Sequence, residues 1–130
     1  MSRFHNYAVI LLLLISAPLA SWAAPEDYRF ELAGQPEKTG AGTLVKVRLI
    51  AVAGGTPVTG AEFSGTRLDM GPDGMAAMTA PVKALPASAP GVYLFEAQPS
   101  MAGNWALSFS AKIAGEAEPV SGAVTVTVAK

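Results

Sequence analysis

Beyond residue 27 the chain alternates between apolar and polar positions. Tyr28, Phe30 and Leu32 fall on one side of an extended segment, with Arg29 and Glu31 on the other. Val45, Val47, Leu49 and Ala51 share a side opposite Lys46 and Arg48. Tyr93 and Phe95 alternate with Leu94 and Glu96, and Val124, Val126 and Val128 with Thr125 and Thr127. The best-patterned run is Trp105, Leu107, Phe109 and Ala111, set against Ser108, Ser110 and Lys112. A period of two is the mark of a half-buried strand. Residues 61–69 and 75–85 are weaker strand candidates. Turn residues punctuate these runs at Gly40-Ala41-Gly42, Gly54-Gly55-Thr56-Pro57, Gly71-Pro72-Asp73-Gly74, Pro90-Gly91 and Met101-Ala102-Gly103-Asn104. No stretch sustains a helical period, and 10 prolines and 13 glycines are spread along the chain. The expected fold is all-β: an immunoglobulin-like antiparallel β-sandwich of about seven strands, with a small barrel as the alternative.

The first residues follow a different rule. Arg3 is followed by the unbroken apolar run Ala8-Val9-Ile10-Leu11-Leu12-Leu13-Leu14-Ile15, then Pro18 and the small-residue stretch around Ser21-Trp22-Ala23. This is the layout of a secretory signal peptide, and the run is shorter than the roughly 20 apolar residues that span a bilayer. Ser21 and Ala23 place the cut after Ala23, so residues 1–23 are expected to be a signal peptide and 24–130 the mature domain. The protein is then periplasmic or secreted, with no stable membrane insertion after cleavage. Cutting 23 of 130 residues leaves 107, with eight basic and ten acidic side chains and no histidine. That length suffices for one core without staples, and the absence of cysteine means that no disulfide supports it.

Composition narrows the chemistry. A net charge of -1 gives no basic surface for nucleic acid. Without cysteine, and with His5 inside the signal peptide, the mature chain has no thiolate, no histidine base and no zinc-thiolate or histidine metal site. An enzyme is not expected. Gly40-Ala41-Gly42 leads into a strand and lacks a third glycine, so it reads as a plain turn. Asp69 and Asp73 flank a turn without the ladder of further carboxylates that calcium needs, and Asp69 reads as solvated. Glu116 and Glu118 read as loop residues.

One constellation remains. Met70, Met75 and Met78 lie within nine residues around Gly71-Pro72-Asp73-Gly74. A four-residue turn makes Met70 and Met75 cross-strand neighbours, whose Cβ atoms are about 5 Å apart. Met78 joins them only if the strand is bulged. Met101 lies in the turn ahead of Trp105. Thioethers are soft, neutral ligands that select Cu(I) or Ag(I) and need no deprotonation. The Trp105 indole offers a cation–π contact. The competing reading of the same methionines is core packing or a partner-docking edge.

Four segments, taken in order, resemble a known family: Gly55-Thr56-Pro57-Val58-Thr59-Gly60-Ala61-Glu62-Phe63, the Met70–Met75 turn, Pro90-Gly91-Val92-Tyr93, and Met101-Ala102-Gly103-Asn104-Trp105-Ala106-Leu107. Together they resemble the small exported YtkA-like domains, related to the FixH family, over residues 28–128. The resemblance implies an immunoglobulin-like sandwich serving copper or heavy-metal efflux or the maturation of copper oxidases. It implies a membrane-bound or periplasmic efflux or oxidase-assembly protein as partner. Its Met-rich turn corresponds to Met70, Met75 and Met78, and its Gly-x-Trp strand start to Gly103 and Trp105. Members often carry a histidine near that turn and this chain does not, a departure that tells against Cu(II). The function expected is a periplasmic accessory protein of copper homeostasis. The alternative is a metal-free module that docks on the membrane-bound partner.

Overall fold

The computed structural model describes residues 27–130, so the expected signal peptide and cleavage site lie outside the described residues. Among the described residues, ten strands form two antiparallel sheets. In chain order they are β1 (Tyr28–Leu32), β2 (Glu37–Thr39), β3 (Gly42–Ala51), β4 (Thr56–Pro57), β5 (Glu62–Met70), β6 (Met75–Ala80), β7 (Val82–Ala89), β8 (Val92–Ala97), β9 (Gly103–Lys112) and β10 (Val120–Val128). One sheet runs β1-β3-β8-β7, with the short β2 and β4 also paired to β3; the other runs β10-β9-β5-β6. Two facing antiparallel sheets make an immunoglobulin-like sandwich, as the alternation predicts.

The count exceeds seven for two reasons. β2 and β4 are three- and two-residue pairings too short to show a period. The weak candidate 75–85 is two strands: β6 belongs to one sheet and β7 to the other. Pro81 stands at the break. It has no N–H for a ladder, and its carbonyl accepts the Gln98 N–H at 2.9 Å instead.

The alternating residues meet between the sheets. Val45, Val47 and Leu49 of β3 and Tyr93 and Phe95 of β8 face Leu68 of β5, Trp105, Leu107 and Phe109 of β9, and Val124 and Val126 of β10. Phe30, Phe63, Phe95 and Phe109 cluster with ring centroids 4.9–6.3 Å apart, mostly edge to face. Gly122 admits this cluster, since a Cβ there would collide with the Phe30 ring. The Tyr93 hydroxyl donates to Val58 O at 2.7 Å and accepts the Ala61 N–H at 3.0 Å, tying the loop before β5 to β8. Glu116, in the loop between β9 and β10, accepts the Tyr28 hydroxyl. That bond pushes the Tyr28 hydroxyl up to about 12. Among the described residues no helix is long and apolar enough to cross a membrane.

Candidate functional site: the methionine hairpin

β5 and β6 are joined by a single 3-10 turn, Gly71–Asp73, with Pro72 at its start. The Gly74 N–H closes the turn on Gly71 O at 2.9 Å, and Gly74 takes a left-handed φ of 76°. Met70 and Met75 are therefore directly paired. The next paired positions are Asp69 with Thr79, so β6 advances four residues while β5 advances one. Ala76, Ala77 and Met78 form the bulged part of an edge strand.

Pairing does not give the two methionines the same surroundings. Met70 is 1% exposed and belongs to the core. Its Cε lies 2.5 Å from where a Gly103 Cβ would sit, so Gly103 is what leaves room for it. Met75 and Met78 are 39% and 38% exposed. Met101, 45% exposed, lines a shallow groove with Lys38, Gln98 and Lys130. Of the four methionines named from sequence, two are thus exposed on one bulged strand, one is buried in the core, and one is exposed on the neighbouring loop.

The carboxylates of the hairpin serve its shape. Asp69, expected to be solvated, has only 13% of its side chain exposed. Its Oδ1 accepts the Gly71 N–H at 2.7 Å, and Arg67 Nε reaches its Oδ2 at 3.0 Å. The Gly71 amide first, then the Arg67 guanidinium, hold its pKa below the ordinary value. Arg67 also donates to Ala76 O at 2.9 Å, which fastens the bulge. Asp73 accepts the Asn104 backbone N–H at 2.8 Å and its side-chain amide at 3.0 Å, and these bonds lower its pKa too. Asn104 Oδ1 in turn accepts the Thr127 hydroxyl at 2.8 Å. The buried Trp105 indole donates to Met101 O at 3.1 Å. The hairpin, the Met101 loop and β10 are therefore bound into one end of the sandwich. The sequence shows that Asp73-Gly74 completes a turn; the partner that Asp73 finds 31 residues later becomes visible only in three dimensions.

These contacts decide what the hairpin can hold. Both carboxylates are already engaged by N–H donors. Among the described residues no group of three His, Cys, Asp or Glu side chains is disposed to hold a metal. β6 also presents two exposed, neutral thioethers, donors that suit a soft monovalent ion.

The family model described as YtkA-like matches residues 23–110, from just before β1 to within β9. The chain belongs to the YtkA-like family. The match takes in the whole methionine hairpin and the Gly103–Trp105 strand start of this YtkA-like domain. No curated protein matches the chain. Among solved structures, the Lin-41 filamin domain is similar with a TM-score of 0.41 and 20% identity, over 77% of this chain and 91% of that one. At that score the likeness bears on no activity.

Proposed function

We propose that this YtkA-like domain is an exported accessory protein of copper and heavy-metal homeostasis, holding Cu(I) or Ag(I) weakly on the thioethers of Met75 and Met78. One observation supports it above the others: two exposed thioethers, three residues apart, one just before and one at the end of a bulge fastened by Arg67. Strict alternation would send them to opposite faces of a strand. Neutral sulfur donors favour soft monovalent ions over zinc or calcium, and no ligand proton competes with the ion in acid. Met70 supports the hairpin from the core, and the donor set expected from sequence narrows accordingly. Export rests on the N-terminal layout and is checked by intact mass, which should begin at Ala24.

The test is a competition titration against a Cu(I) chelator. Met75→Leu/Met78→Leu is expected to lose competition, whereas Met70→Leu, a swap of similar volume, should retain it. Equal competition by the double variant and the wild type would end the metal reading. The second reading then takes over: a metal-free module docking on a membrane-bound efflux or oxidase-assembly protein. Residues 75–79 favour it as an exposed, largely apolar run on an edge strand.

A further inference from the structure

We infer that strand β6 carries a methionine-oxidation site, where Met75 and Met78 take oxygen from a hydroperoxide while the adjacent Met70 is kept reduced by the core. The consequence for metal holding rests on the reading above; the modification itself does not. In each event a thioether lone pair attacks one peroxide oxygen. The O–O bond breaks and an S–O bond forms. Sulfur loses two electrons to the peroxide, and the departing oxyanion takes up the proton of the transferred oxygen and leaves as water from hydrogen peroxide or as the alcohol from an organic hydroperoxide. The product is a sulfoxide, polar and chiral, which methionine sulfoxide reductases return to the thioether.

Access and tolerance both differ across the hairpin. Met75 and Met78 are exposed on a strand whose bulged residues have no register partner, so a new sulfoxide oxygen there stays in water. Met70 is 1% exposed, and its methyl fills the space that a Gly103 Cβ would need. Among the described residues no buried polar side-chain atom lacks a partner. A sulfoxide at Met70 would create such an atom in a place without room for it. Oxidation at β6 therefore leaves the sandwich folded but removes the soft donors. Met101, exposed on the neighbouring loop, oxidises as well and serves as the internal control.

The experiment treats the folded protein with limiting hydrogen peroxide and maps sulfoxides by peptide mass spectrometry, each site adding about 16 Da. Met75 and Met78 are expected to oxidise at least roughly tenfold faster than Met70. In denaturant all four sites should converge on one rate. The oxidised protein should keep its urea midpoint, and Cu(I) competition should fall to the level of Met75→Leu/Met78→Leu and return after reductase treatment. Met101→Leu should leave that loss unchanged. Native-state oxidation of Met70 as fast as Met75, protection of Met75 and Met78 equal to that of Met70, or unfolding on oxidation at β6 would each overturn the inference. If the oxidation map holds but the untreated protein never competes for Cu(I), the copper reading fails and the modification site stands.

Discussion

Strands β8 and β6 are each six residues long, Val92–Ala97 and Met75–Ala80, and both are mostly apolar. β8 buries every second residue, whereas β6 buries none. The two strands differ in their neighbours and in their pattern. β8 is flanked by β3 and β7, but β6 pairs only with β5. β8 also sets Tyr93 and Phe95 on one face, and large rings at a period of two fill the space between sheets. β6 offers Met-Ala-Ala-Met, with its bulky residues three apart, which no flat strand can direct to one face. Apolar composition alone thus does not make a core strand. Periodicity does: β10 is also an edge strand, yet its pattern buries Val120, Val124 and Val126, whereas the edge strand β6 has no such period and stays exposed.

The comparison breaks most visibly at its buried pole. Trp105→Ala should cost about 3–5 kcal/mol, against the roughly 5–15 kcal/mol that holds a small domain together. A urea melt measures it, and a loss under about 1 kcal/mol would place Trp105 outside the core. Gly103→Ala tests the joint between core and hairpin. Its Cβ would lie 2.5 Å from Met70 Cε and 2.8 Å from Asp73 Oδ2, at a φ of 144°. The expected loss is roughly 1–3 kcal/mol. Adding Met70→Ala should give less than the sum of the two single losses, because one space is shared.

Acid sharpens the same joint. Asp69 and Asp73 both have pKa values lowered from 3.8 in the folded protein. Their stabilisation is present above the unfolded value and is lost as pH falls through the folded ones. Urea midpoints should therefore drop below about pH 4. Asp69→Asn/Asp73→Asn should be weaker at neutral pH and flatten that drop; an unchanged slope would show that other carboxylates govern it. The smallest effect belongs to the edge. Ala77→Lys should change stability by no more than about 0.5 kcal/mol, where Val47→Lys should prevent folding. Thermal melts of the two variants, read side by side, measure the contrast between exposed and buried strands directly.

Much of the fold was legible in the chain. The period of two in β3, β8, β9 and β10 named the core-facing residues, because side chains of a strand alternate whatever it pairs with. The Gly71-Pro72-Asp73-Gly74 turn likewise placed Met70 opposite Met75, since the geometry of a tight turn is local. Other features were not legible. That Met75–Leu85 divides between two sheets depends on which edges β5 and β8 leave open. That Asp73 binds Asn104 depends on a contact across 31 positions. The methionines mark the boundary most clearly. Sequence set three thioethers around one turn, and nothing local distinguishes them. Burial distinguishes them, and burial is a property of the opposite sheet and of the space left by Gly103, which only the closed sandwich brings to Met70.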